Sequence, residues 1–246
     1  MGFPNLKIAV YADGAEHGAM VKRYHEGFVK GFTTNPTLMA KAGIQDYQVF
    51  AQSVLSVIKT LPISFEVFSD DFEEMERQAQ LIGSWGANVN IKIPITNTKG
   101  KSSLPLIERL LGQGLKLNVT AILAVEQIDA LRRVLKTQDD VIVSIFAGRI
   151  ADTGVDPVPM MKRAVEDYRA LPKAKILWAS PREVLNIYQE EACGCHIITA
   201  TNDLIEKLSL HRKPLHDYSL DTVKMFYNDA QKAGFTLPIT SERGVS

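Results

Sequence analysis

A single (β/α)8 barrel of the α/β class, followed by one additional C-terminal helix, is predicted by three features of the sequence. Eight short apolar runs alternate with longer amphipathic stretches, a pattern that argues for a parallel sheet with helices on its faces. The 246 residues are near the size of one such barrel. No linker, low-complexity tract or shift of composition divides them, so residues 1–246 are expected to form one domain. Eight units in this length favour closure over an open, doubly wound sheet.

The first run, "KIAVYA" (7–12), is followed by Asp13, and the second, "GFTT" (31–34), closes on Thr34 and Asn35. In the third, "ISFEVF" (63–68), Glu66 shares a face with Ser64, because successive side chains of a strand point to opposite sides. The segment "DDFEEMERQAQLIGSWG" reads as a helix whose Gly83 and Gly86 lie where helices stop.

The fourth run, "VNIKIPI" (89–95), holds the least expected residue. Val89, Ile91, Ile93 and Ile95 make one face aliphatic, while Asn90, Lys92 and Pro94 occupy the other. An unpaired ammonium is costly to bury, and a confined apolar site disfavours the charged form of a lysine. The neutral amine is a nucleophile. The bland alternative is a lysine held in a structural ion pair.

"SLPLIERLLGQG", ending in Gly112 and Gly114, leads to "LKLNVTAI" (115–122), which carries Asn118 and Thr120. "AVEQIDALRRVLKTQ" precedes "VIVSIFA" (141–147), with Ser144 and Phe146 on one face. "PMMKRAVEDYRALP" precedes "AKILWA" (174–179), after which comes Ser180. "PREVLNIYQEEA" precedes "HIITA" (196–200), whose end offers no strong candidate. The last helix is expected at about residues 219–234, with an apolar stripe of Val223, Met225, Phe226 and Ala230 at helical spacing.

Catalytic groups of such barrels sit at the C-terminal ends of the strands, where most of these polar residues fall. A buried lysine with carboxylates beside it supports Schiff-base carbon–carbon lyase or transfer chemistry. The amine attacks a ketone, water leaves, and the iminium withdraws electrons from the bond that breaks. Glu66 and Thr120, through a water, suit the dehydration, and Asp13 suits removal of the departing hydroxyl's proton. Arg149, after the sixth run, and Arg182, two residues beyond Ser180, suit a phosphate, which guanidinium groups bind bidentately. Taken singly, either arginine could be a helix-start residue in a surface ion pair.

Lys and Arg balance Asp and Glu at 28 each, so charge suggests neither nucleic acid nor a membrane surface as partner. No run of about 20 apolar residues would span a bilayer. "MGFPNLKIAV" lacks the marks of a signal peptide, and position six is Leu, against myristoylation. A reduced, cytoplasmic protein is expected. The two cysteines, Cys193 and Cys195 beside His196, are too closely spaced for a metal site and read as ordinary thiols entering a strand. The other histidines lie in helix or tail segments, so a metal site is not expected.

"GFTTNPTL", "IKIPIT", "NVTAIL", "SIFAGRI" and "WASPRE" together resemble, in order, the signatures of the transaldolase family. The resemblance implies a (β/α)8 barrel, no metal or organic cofactor, sugar-phosphate substrates, and a lysine that carries a dihydroxyacetone unit. Lys92 matches that lysine and Asp13 the acid/base near the cleaved bond, while Glu66 and Thr120 match holders of the catalytic water. Thr34, Asn35, Asn118, Ser144 and Phe146 match the substrate site, and Arg149, Ser180 and Arg182 the phosphate site. Glu66 and Phe146 resemble true transaldolases, since the fructose-6-phosphate aldolases of the family have glutamine and tyrosine there. Departures are the short chain, like the aldolase branch, and the compact "SPRE" turn, where Pro181 biases Ser180 towards an extended backbone. The alternatives are an aldolase releasing dihydroxyacetone, an enzyme of specialised sugar biosynthesis outside the pentose phosphate pathway, and a silent, sugar-phosphate-binding barrel. Short members of the family often form rings through the tail helix, so a homo-oligomer is expected.

Overall fold

The computed structural model describes residues 4–237. β1 (Ala9–Asp13) leads into α1 (His17–Glu26), and β2 (Gly31–Thr33) into α2 (Pro36–Lys41) and α3 (Tyr47–Val57). Then follow β3 (Ile63–Glu66), α4 (Phe72–Gly83), β4 (Val89–Pro94), α5 (Leu104–Gly112), β5 (Leu117–Ile122) and α6 (Val125–Val134). β6 (Val141–Ile145) precedes α7 (Ala147–Asp152) and α8 (Val158–Asp167), and β7 (Ala174–Trp178) precedes α9 (Leu185–Cys193). β8 (Ile197–Thr201), α10 (Asn202–Glu206) and α11 (Leu215–Ala233) complete the series. The strands close in chain order into an all-parallel barrel, with β8 pairing back onto β1. The expected (β/α)8 fold with its added C-terminal helix is the fold observed.

Local chemistry fixes where several helices begin. Asn35 accepts the Leu38 N–H at 2.9 Å, and Asp46 and Asp71 accept those of Val49 and Glu74 at 2.9 and 3.0 Å. Each carboxylate or amide satisfies an N–H that the first turn leaves without a partner. Pro36 stands at the start of α2, where its missing N–H costs nothing.

The main core lies outside the strands. Ile91, Ile93, Val119, Val143 and Ile176 pack with helix residues such as Leu106, Leu110 and Leu131, all essentially buried. Burying each such side chain contributes about 1.5–3 kcal/mol. Inside the barrel a smaller group, Tyr11, Ile142, Leu177, Ala179 and Ile197, forms a separate apolar layer. Tyr11 needs room there: a Cβ on Gly31 would come within 2.5 Å of its ring. Above this layer the lumen is polar.

Some boundaries differ from those read off the sequence. Asp13 is the last residue of β1 rather than the residue after it. β2 and β3 end at Thr33 and Glu66, earlier than the apolar runs; after β2, Asn35 already caps the next helix. α11 starts at Leu215, immediately after Pro214, and not near 219; Leu215 and Tyr218 already stand at the i, i+3 helical spacing that a start near 219 leaves out. Among the described residues, 4–208 form one compact unit and 209–237 a second. In the second unit, Leu215, Val223, Phe226 and Tyr227 of α11 are exposed.

Candidate active site

A cavity of about 500 Å³ opens at the C-terminal ends of the strands. Lys92 reaches it from β4 and is only 6% exposed. Its Nζ lies 3.0 Å from Glu66 Oε2 and donates to the Thr34 carbonyl at 2.9 Å. The surroundings of this amine are therefore polar, which corrects the expectation of a confined apolar site. The bland and the catalytic readings of Lys92 meet here, since the same carboxylate that pairs with the ammonium stands ready beside the amine. Sheet register explains the meeting: Glu66 of β3, Lys92 of β4 and Asn118 of β5 are successive partners across the strands.

Glu66 is held by its backbone as well. The Tyr47 hydroxyl donates to the Glu66 carbonyl at 2.9 Å and accepts its N–H at 2.7 Å. Tyr47 packs edge-on against Phe65, Phe68 and Trp85. Burial pushes its phenol well above the ordinary tyrosine range, so it stays protonated and can keep donating.

Asp13 lies across the cavity. Its Oδ1 accepts from the Thr33 hydroxyl at 2.7 Å. Thr33 spends its one proton there, so the Thr199 hydroxyl, 2.5 Å away, donates to Thr33. Burial raises the Asp13 pKa, and the nearby Lys92 and the Thr33 bond only partly offset this, while Glu66 adds to it. A carboxyl shifted this way holds a proton closer to neutral pH than an ordinary aspartate does, which is what an acid/base needs.

Asn118, Ser144 and Ser64 form a buried chain across the lumen. Ser144 Oγ donates to Asn118 Oδ1 at 2.6 Å, and Asn118 Nδ2 donates to Ser64 Oγ at 3.1 Å. These bonds fix which way the amide faces. The Thr120 hydroxyl is buried with no hydrogen-bond partner among the described residues, and Thr120 lines the cavity. Beside it β5 bulges, with Ala121 at φ 61° and the pairing to β6 shifted between Val119 and Ile122.

At the rim, the Arg149 guanidinium sits 5.3 Å from the centre of the Phe146 ring, a cation–π contact that aims it over the opening. Ser180 also lines the cavity, at φ 57° rather than in the extended region expected of a residue before proline. The close approach of two backbones accounts for it: a Cβ on Gly148 would fall 1.5 Å from the Ser180 carbonyl oxygen. Only glycine lets α7 and the turn after β7 touch there.

Of the residues singled out in the sequence, Asp13, Asn35, Glu66, Lys92, Asn118, Thr120, Ser144, Phe146, Arg149 and Ser180 line this one cavity. Two do not. Thr34 points its hydroxyl at the Ser64 carbonyl, 2.9 Å away, and meets the site only through its own carbonyl. Arg182 is half-exposed and forks onto Asp152, with Nε to Oδ1 at 2.9 Å. The surface ion pair set aside for the arginine pair is the arrangement that Arg182 makes. Arg149→Ala is accordingly expected to weaken binding of a phosphate-bearing ligand at this mouth about tenfold or more, and Arg182→Ala less than threefold, in calorimetric titration.

Thr33, Thr199 and Tyr47 were not anticipated. Period-two alternation held the signal for the first two. Phe32 and Ile198 face the outer core, so Thr33 and Thr199 face inward. Tyr47 has no such signal, because it reaches Glu66 from a helix 19 residues earlier.

Among the described residues, no group of three or more His, Cys, Asp or Glu is placed to hold a metal ion. Nor is any described helix long and apolar enough to cross a membrane. Cys193 and Cys195 are both buried and free.

The profile of the Transaldolase/Fructose-6-phosphate aldolase family matches residues 10–237. A Dehalococcoides mccartyi protein named "Probable transaldolase" is 31% identical over 226 residues, covering 92% of this chain and 100% of its own. A Listeria monocytogenes protein named "Probable transaldolase 2" is 32% identical over 205 residues, covering 82% of this chain and 88% of its own. The solved structure of a 2,3-dimethylmalate lyase matches with a TM-score of 0.55 at 11% identity, covering 98% of this chain and 88% of that one. At that identity the last likeness concerns the fold alone.

Proposed function

Because the chain belongs to the transaldolase/fructose-6-phosphate aldolase family, we propose that it moves a dihydroxyacetone unit from a ketose phosphate to an aldose acceptor through a Schiff base on Lys92. The observation that carries this reading is Lys92 itself: a buried amine with Glu66 at 3.0 Å, facing the same cavity as Asp13 and Thr120.

The Lys92 amine, once its proton has passed to a neighbouring base, attacks C2 of the ketose to give a carbinolamine. Glu66 and the unpartnered Thr120 hydroxyl hold the water that protonates the leaving hydroxyl, and loss of water gives the iminium. Asp13 takes the proton from the C4 hydroxyl, the C3–C4 bond breaks, and its electrons enter the iminium to form an enamine. The first aldehyde leaves. The enamine carbon then attacks the acceptor aldehyde, Asp13 returns the proton to the new hydroxyl, and hydrolysis of the iminium frees Lys92. Asn35, Asn118 and Ser144 contact the sugar, and Arg149 with Ser180 receives the phosphate. No cofactor enters this scheme.

Phe146 favours transfer over release, since it has no hydroxyl with which to protonate the enamine at the mouth. With fructose 6-phosphate alone, free dihydroxyacetone should form at least tenfold more slowly than product forms with an aldose phosphate acceptor present. Equal rates would make the enzyme an aldolase.

The central test mixes protein with fructose 6-phosphate, reduces with borohydride and maps the adduct by mass spectrometry. A three-carbon adduct on Lys92 supports the reading. Trapping on another lysine, or none with any ketose phosphate, overturns it. A place in pentose phosphate metabolism and a cytoplasmic location belong to the same proposal. So does a homo-oligomer, supported by the exposed apolar side chains of α11. Light scattering on a chain ending before Leu215 tests this, with an unchanged mass counting against it.

A further inference from the structure

At the opposite end of the barrel, the N-terminal ends of the strands surround a second cavity of about 420 Å³. Barrel enzymes carry out their chemistry at the other face, and the Tyr11, Ile142 and Ile197 layer forms the inner wall of this cavity. The two openings are thus separate.

The lower cavity is built from buried polar groups as well as surface charge. Asn90 and Tyr11 are 5% and 6% exposed, and both line it. Neither side chain makes a hydrogen bond within the described structure, although the amide offers two donors and an acceptor and the phenol one of each. Two largely buried side chains whose polar tips open onto one space, with no protein partner there, offer hydrogen bonds to a ligand with hydroxyl groups. At the rim stand Lys59, Lys116 and Lys175 against a single carboxylate, Asp140. Lys116 and Lys175 are steered by the carbonyls of Ala87 and Pro172, at 3.0 and 3.3 Å. Three ammonium groups facing one carboxylate leave two positive charges unmatched at the mouth, while the whole chain is neutral.

We propose that this lower cavity binds a small phosphate ester, its phosphate at the lysine rim and its hydroxylated body against Asn90 and Tyr11. The inference does not depend on the catalytic reading of the upper site.

Calorimetric titration with glycerol 3-phosphate tests it on the full-length Arg149→Ala protein, in which phosphate binding at the upper mouth is weakened. One equivalent should still bind. Adding Lys59→Glu and Lys116→Glu, both exposed positions that leave the core untouched, should weaken that binding about tenfold or more, as expected when charge-assisted contacts are lost. Inorganic phosphate should bind the same protein more weakly than the ester, because it leaves Asn90 and Tyr11 unmet. No binding in the Arg149→Ala protein, or binding indifferent to the two charge reversals, overturns the site. Equal affinity for inorganic phosphate overturns the ester and reduces the cavity to a simple anion site.

Discussion

Lys92→Met is expected to lower kcat by at least about 10⁴-fold and to abolish borohydride trapping, since the proposed imine would form on the one lysine among the described residues lining the cavity. The same substitution should cost about 2 kcal/mol of stability. It strands the Glu66 carboxylate in a largely buried position, though Glu66 keeps enough water to bring the loss below the roughly 3–5 kcal/mol of a fully buried pair. Glu66→Gln in the Lys92→Met background should recover most of that loss without recovering any turnover. Chemical denaturation and single-turnover kinetics on the two proteins separate the effects. A Lys92→Met enzyme that kept even a hundredth of the activity would show that the lysine is only a structural ion pair.

Asp13→Asn should cost about 10³-fold in kcat, within the range that a positioned acid/base supplies, and should make the protein more stable at neutral pH. The sign follows from the raised pKa. The folded protein holds the Asp13 proton more tightly than the unfolded chain does. Stability is therefore greatest below the ordinary carboxylate pKa and falls as pH rises from there through the folded value. Asparagine keeps an oxygen for the Thr33 hydroxyl and carries no charge to desolvate. Its advantage should be present at pH 7, read as a higher Tm than that of the unsubstituted protein in thermal scans. It should vanish as the pH drops below about 3.9. A Tm difference that grew on acidification would mean that Asp13 is stabilised as a charge and is not the strained acid/base. Losing activity while gaining stability is the usual signature of a site kept polar against the preference of the fold.

Within the lumen the two predictions share one cause. Where branched apolar side chains usually fill a barrel, this one stacks Asp13, Thr33, Glu66, Lys92, Asn118, Thr120, Ser144 and Thr199 above a thin apolar layer. Each polar side chain except Thr120 is tied to a neighbour by an ion pair or hydrogen bond. The network holds the amine, the carboxyls and the amide in place before any substrate arrives.

By itself the sequence determined the strand count and the closure of the sheet, and it singled out the lysine on which the proposed chemistry turns. These follow from local periodicity, which is written residue by residue: a period of two puts Lys92 and Asn118 on the face opposite their aliphatic neighbours, and eight such runs leave no edge to spare. Only the tertiary structure decided which polar groups meet. Register between β3 and β4 brings Glu66 to Lys92, α3 delivers the Tyr47 hydroxyl to Glu66, and Asp152 draws Arg182 away from the mouth that Arg149 overlooks. Such partners lie 19 to 30 residues apart. Whether they touch depends on sheet stagger and on how helices seat against strands, which are properties of the closed barrel and not of any segment within it.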